Sequence, residues 1–223
     1  MSNNGNQKMN YRSLIEGKKV LLLGPASYLK DKINEIDLNK YDVIVKLNKM
    51  VEKPSLPESL NDRNDILYHC IDINIANGDT YDVKTWSEKK VGHLRIPMPA
   101  INSYYHNNIE RFNRINEIYK IESSIIKPET YLFVKNNSNT SPNTGTVAIY
   151  DLLINNPQEL RIAGMTFCKT PYIKGYKEQV FYNNKRKSQH DHDKQILFFK
   201  KMLKEYKEKI IIDDELLNII RSY

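Results

Sequence analysis

The sequence predicts an α/β fold with a mainly parallel sheet, and three observations carry that expectation. Short apolar runs alternate with helix-like stretches along most of the chain. The first run, Lys18-Lys19-Val20-Leu21-Leu22-Leu23, is continuously apolar and stops at Gly24-Pro25, as a strand covered on both faces does. The chain has 223 residues, 40% of them apolar, which is enough for one full core, and no internal repeat or low-complexity segment breaks it up.

The elements follow in order. Residues 1–17 read as a flexible leader and 18–223 as one folded domain. After the strand at 18–23, Ser27 to Ile36 reads as a short helix with Ser27 as its cap. Tyr41 to Leu47 is β-branched and alternating, a second strand, and Asp65 to Cys70 a third. Val91 to Pro97 is a fourth strand, Asn107 to Ile121 a helix, and Thr130 to Val134 a short strand. Thr146 to Asn155 is helical, with Pro157 past its end, and Glu159 to Gly164 is again a strand. Thr170 to Gln189 lacks apolar periodicity and reads as a long surface loop, the kind of segment that often forms a functional lid. Gln195 to Tyr206 has a one-sided apolar pattern and is a helix; Lys209 to Ile212 is a last strand and Asp214 to Tyr223 a closing helix.

Composition bounds the function. The net charge of +7 favours an anionic substrate or partner, although the basic residues are scattered and a solvated lysine-rich surface is the plainer account of them. Lys185-Arg186-Lys187 is the densest basic run. The two cysteines, Cys70 and Cys168, form no CxxC and no secreted-style framework, so they read as buried thiols. Residues 1–10 are polar with no apolar signal core, and no run reaches transmembrane length, so the expectation is a soluble cytoplasmic protein with no membrane partner. Nothing in the sequence fixes its oligomeric state.

Two turns and one loop carry the chemistry. Gly24-Pro25-Ala26-Ser27 joins a strand to a helix, and ligands of open α/β sheets sit at such carboxyl ends; Gly24 and Ser27 are the candidates there. An ordinary strand-to-helix turn is the plainer account, since Pro25 removes a backbone donor. Asn143-Thr144-Gly145-Thr146 precedes the apolar Val147-Ala148-Ile149, so its N–H groups and the Thr144 hydroxyl open onto a helix N-terminus that suits a phosphate. There Asn143 or Thr144 acting as a simple N-cap is the alternative. A nucleoside phosphate held between these two turns is the expected ligand, with Asn48, at the end of the second strand, hydrogen-bonding its base or ribose. In His190-Asp191-His192-Asp193-Lys194-Gln195 a histidine suited to proton abstraction lies just before an amphipathic helix. Asp191 and Asp193 either stabilise the helix dipole or form a DxD pair for a divalent ion. Tyr172, Tyr176 and Tyr182 in the long loop offer phenols to a phosphate or pack a lid onto the domain.

Taken in order, these pieces resemble the sialyltransferases of glycosyltransferase family 29. Val20 to Lys30 is similar to that family's first motif, a strand ending in Gly-Asn-Ser-Gly, and Tyr41 to Asn48 to its Asp-Phe-Val-x-Arg-x-Asn continuation. Pro142-Asn143-Thr144-Gly145 resembles the second motif, Pro-Ser-Thr-Gly, with the apolar helix and the strand that ends here in Gly164-Met165-Thr166-Phe167. His190 followed by Gln195 resembles the last motif, His, four residues, Glu. The resemblance spans residues 18–212. It implies a Rossmann-like nucleotide-binding domain of the GT-A-like variant type and inverting sugar transfer without a metal cofactor. It implies that Asn48, Thr144 and Gly145 hold the nucleotide, that His190 is the general base, and that Tyr172 or Tyr176 contacts phosphate as in the related bacterial family 42 enzymes.

The departures shape the expectation. Pro25 stands where the family has its nucleotide-binding asparagine, so CMP-sialic acid does not carry over as the donor. Gln195 replaces the final Glu, the disulfide cysteines are missing from the matching positions, and no His-Tyr-x-Glu precedes His190. The expected partners are a nucleotide sugar as co-substrate and an acceptor that is either a glycan or a modified base in DNA; a nucleotide- or nucleic-acid-binding protein without catalysis is the reading from another class.

Overall fold

A computed structural model describes residues 10–52, 60, 62–72, 81–176 and 190–223. Seven strands form one sheet in the order β5-β4-β3-β2-β1-β6-β7, and every pairing is parallel. The described chain runs α1 (Tyr11–Ile15), β1 (Lys19–Leu23), α2 (Leu29–Lys32), β2 (Val43–Leu47), β3 (Ile66–Tyr68), α3 (Val83–Glu88), β4 (His93–Ile96), α4 (Ser103–Tyr119), β5 (Ser123–Ile125), α5 (Pro128–Ser138), α6 (Thr144–Ile154), β6 (Glu159–Ala163), α7 (His192–Glu205), β7 (Ile210–Ile212) and α8 (Asp214–Arg221).

β1 is central because its residues tolerate burial on both sides. Val20 to Leu23 are all fully buried, with β2 on one side and β6 on the other. The alternation of β3 sorts two faces. Ile66 and Tyr68 join the large cluster with Val134, Val147, Leu152 and Phe199, whereas Leu67 joins Trp86, Leu94 and Phe112 under α3 and α4. α5, α6 and α7 pack against one another. α6 is buried nearly all round, as its unbroken apolar run requires. Most helices begin on Asn or Asp side chains that accept from the first turn: Asn102 for α4, Asn143 for α6, Asp191 for α7 and Asp213 for α8.

Three expectations are corrected. Thr130 to Val134 lies inside α5, and the edge strand β5 comes earlier, at Ser123–Ile125. Pro128 occupies the first turn of α5, where its fixed φ favours a helix, and the buried Thr130, Tyr131, Val134 and Ser138 follow helical spacing. The leader boundary at residue 18 falls too late: Tyr11 and Ile15 of α1 are buried in the main core. Behind Tyr28, α2 covers only Leu29–Lys32 and continues as a 3₁₀ turn at Ile33–Glu35. No helix of the described residues is long and apolar enough to cross a membrane.

A buried polar network ties α1 and α6 to the sheet. Arg95 of β4 meets the Asp151 carboxylate of α6 through two hydrogen bonds of 2.8 and 3.0 Å. The Tyr68 hydroxyl donates to the same carboxylate at 2.8 Å and lies 2.5 Å from the Tyr11 hydroxyl. The Arg95 guanidinium also sits 3.9 Å above the Tyr11 ring.

Candidate active site

All strands are parallel, so their carboxyl ends share one edge, and the helices that precede β6 and β7 bring their N-termini to it. The winding direction reverses between β1 and β6, which makes their junction the topological switch point where such sheets bind ligands. Two glycines allow that junction. The Gly24 N–H donates to the Ala163 carbonyl at 2.8 Å and the Ala26 N–H to the Gly164 carbonyl at 3.0 Å. A Cβ at Gly24 would lie 2.3 Å from the Gly164 carbonyl oxygen. The Gly164 N–H donates in turn to Asp213, which also accepts from the Tyr28 hydroxyl at 2.6 Å and caps α8. Gly24 therefore has a packing duty independent of any ligand.

The sequence-predicted residues fall into two groups. In the first, residues 171–173 run beside the β1 turn: Ser27 N–H donates to the Pro171 carbonyl, Ala26 bridges Tyr172, and Ile173 N–H donates to the Pro25 carbonyl. Tyr172 and Tyr176 pack edge to face with ring centres 5.1 Å apart. The Tyr172 hydroxyl is 2.7 Å from the Cys168 sulfur. Tyr176 is buried, and its hydroxyl accepts from the Asn48 amide at 3.4 Å. Burial pushes the Tyr176 phenol above its ordinary range, so it stays a proton donor. Asn48 adopts a left-handed φ of 46° and accepts from the Cys70 N–H. Tyr182 and Lys185-Arg186-Lys187 lie outside the described residues.

The second group joins the α6 turn to the start of α7. Asn143 caps α6 by accepting from the Thr146 N–H at 2.8 Å, and Thr144 and Gly145 are buried in its first turn. His190 Nδ1 is 2.8 Å from the Ser141 carbonyl oxygen. A carbonyl only accepts, so neutral His190 carries its proton on Nδ1 and its lone pair on Nε2. The neighbouring His192 is pushed down to about 4, chiefly by burial. The Asp191–Asp193 pair is already engaged. Asp191 caps α7 and lies 3.5 Å from Lys194, while Asp193 meets Lys169 at 2.5 Å and the Tyr223 hydroxyl at 2.6 Å. Among the described residues no group of three or more His, Cys, Asp or Glu side chains could hold a metal ion.

Met165, which carried no role in the sequence, links the two groups. Its side chain lies 2.8 Å from where a Gly24 Cβ would sit and 2.4 Å from where a Gly145 Cβ would sit, so it spans the space between the two turns. Only knowledge that β6 ends against the start of α6 identifies it. Gln195, visible in the sequence as the end of a motif, is fully buried between α6 and α7.

Solved structures share the fold of this chain. The monofunctional α-2,3-sialyltransferase Cst-I from Campylobacter jejuni superposes with a TM-score of 0.58 at 13% identity, over 96% of this chain and 81% of that one. The sialyltransferase CstII from Campylobacter jejuni, in complex with CMP-3FNeuAc, gives 0.56 at 14% identity over 87% and 81%. A mammalian sialyltransferase gives 0.57 at 16% identity over 91% and 71%. The fold is that of the sialyltransferases. No family model matches the chain, and no curated protein sequence matches it significantly.

Proposed function

We propose that the protein is a glycosyltransferase that moves a sugar from a nucleotide-sugar donor to an acceptor hydroxyl with inversion, His190 acting as general base. One observation supports the reading: His190 Nδ1 lies 2.8 Å from the Ser141 carbonyl, which ties the ring to the turn before α6 and puts the lone pair of the neutral ring on Nε2. Nε2 accepts the acceptor's proton as its oxygen attacks the anomeric carbon. The nucleoside phosphate leaves from the opposite face of the sugar. In this reading the N–H groups of Thr144 and Gly145 and the phenols of Tyr172 and Tyr176 are the donors that receive its growing charge. Ser27 and Asn48 flank the β1 side of the same edge. The neighbours' ligands, CMP and a trisaccharide acceptor among them, support a nucleotide and a glycan hydroxyl as the two substrates. The reading uses no metal ion, and turnover is expected to survive EDTA. Loss of turnover in chelator with recovery in manganese or magnesium would overturn that and return the role to Asp191 and Asp193. No described feature favours a DNA acceptor.

The test is calorimetric titration with CMP, UDP and GDP, followed by turnover of the matching nucleotide sugars. General-base assistance is worth about 10²–10⁴ in rate, so His190→Ala lowers kcat by that order and leaves nucleotide affinity nearly unchanged. His192→Ala is much milder. Near-full turnover in His190→Ala beside a dead His192→Ala would move the base by two residues. Full turnover in both variants would remove the histidine base from the reading, whereas nucleotide binding without turnover of any donor would favour a non-catalytic nucleotide-binding protein.

A further inference from the structure

Four hydrogen bonds lace the turn before α6 to the start of α7. The Asp191 N–H donates to the Thr140 hydroxyl at 3.0 Å, and His190 Nδ1 to the Ser141 carbonyl at 2.8 Å. Gln195 Oε1 accepts both remaining bonds, from the Asn143 N–H at 3.1 Å and from the Thr146 hydroxyl at 2.5 Å. The Asn143 N–H can only donate, which fixes the amide with its oxygen toward the turn. Gln195 is fully buried on the first turns of α7, and its Nε2 has no partner among the described residues. An unsatisfied buried amide costs free energy. It is tolerated here because the oxygen satisfies two donors on another helix.

From this geometry we infer that Gln195 is a positioning residue that sets the proposed base and the proposed phosphate turn relative to each other. One oxygen reads the N-cap residue of α6 and its third residue. A shift of α7 along α6 would break both bonds and pull His190 off the Ser141 carbonyl, since His190 precedes Gln195 by little more than one helical turn. A neutral acceptor suits this place: it satisfies the donors without adding a negative charge at the helix N-terminus, where an anion is to bind. The positioning itself stands on the hydrogen bonds; only its catalytic consequence rests on the transferase reading.

The experiment reads the His190 tautomer by long-range ¹H–¹⁵N correlation of the imidazole in the whole protein. Wild type should show the pattern of a proton held on Nδ1. Gln195→Met keeps the volume and removes the acceptor. It should fold, and the His190 pattern should collapse towards that of free imidazole, in which the Nε2-protonated form is well populated. Gln195→Glu keeps an oxygen for both donors and should restore the wild-type pattern. Thr146→Val, which removes one of the two donors, should give an intermediate pattern and serves if Gln195→Met does not fold. A merely structural glutamine would lower the melting temperature of Gln195→Met and leave the His190 tautomer untouched, and that result overturns the inference. Titration with CMP, UDP and GDP separates the two readings. If wild type binds none of them, the transferase reading fails, while the tautomer still decides the role of Gln195.

Discussion

Gly24 and Gly145 read alike in the sequence, each a glycine in a turn that opens a helix, and the structure separates them. A Cβ at Gly24 meets backbone, the Gly164 carbonyl oxygen at 2.3 Å, which cannot move without parting β1 from β6. A Cβ at Gly145 meets the mobile end of Met165, its Cε at 2.4 Å. Gly24→Ala should therefore cost more than the ~1–3 kcal/mol typical of overpacking, while Gly145→Ala should cost less, offset by about 1 kcal/mol of helix propensity. Urea denaturation checks both; equal losses would contradict this account. The two sites also predict coupling. Met165→Ala alone should cost about 2–5 kcal/mol, and less when Gly145 is already Ala, because the new methyl fills part of the void. At this scale the sequence was partly legible. His190 and the Asn143 turn carry polar types in a pattern that local chemistry explains. Met165 was not legible, because its role depends on β6 ending against α6, a contact no local pattern encodes. Gln195 was visible as a motif position, but its two donors lie some fifty positions away along the chain.

At the scale of elements, caps and continuous apolar runs were the readable signals. β1, β2, β6 and α7 fall where the apolar runs place them, and Asn143, read as a possible cap, opens α6, whereas the helix expected from Asn107 begins four residues earlier, behind Asn102. β5 escaped because only three residues form it and it is not fully buried, so it has little apolar signature. α1 escaped for a different reason. It is five residues long, too short to be stable alone, and is held by tertiary contacts. Those contacts predict that removing residues 1–17 costs roughly 3–6 kcal/mol, from the burial of Tyr11 and Ile15. A chain starting at residue 18 with unchanged stability would show that α1 merely rests on the surface of the domain. The network beneath α1 makes a second demand. Asp151→Ala leaves the Arg95 guanidinium buried without its carboxylate, which should cost about 3–5 kcal/mol.

At the scale of the whole molecule, the sheet order was the least legible feature, since pairing of β1 with β6 joins segments more than a hundred residues apart. That pairing creates the edge on which both helix N-termini and both tyrosines meet, and it also buries groups whose titration the sequence does not announce. His93 on β4 and His192 at the start of α7 are each pushed down from 6.5 to about 4, chiefly by burial. Above 6.5 both are neutral in either state and contribute no pH dependence. Between 6.5 and 4 the unfolded chain takes up their protons and the folded chain does not, so stability falls as the solution is acidified through that window. Glu52 works against this, because burial raises its carboxyl above the usual 4.5 and the folded chain takes up that proton first. Two histidines against one carboxyl leave a net loss. The melting temperature should decline steadily from pH 6.5 to 4. His93 is the cleaner probe, because it lies away from the candidate site, where its Nε2 is 2.7 Å from the Ser124 hydroxyl. His93→Gln keeps a polar group toward Ser124 and cannot become cationic, so it should flatten the decline in the upper part of the window. If His93→Gln falls as steeply as the parent, the acid sensitivity belongs to other groups, and neutral His93 is not what the folded sheet protects.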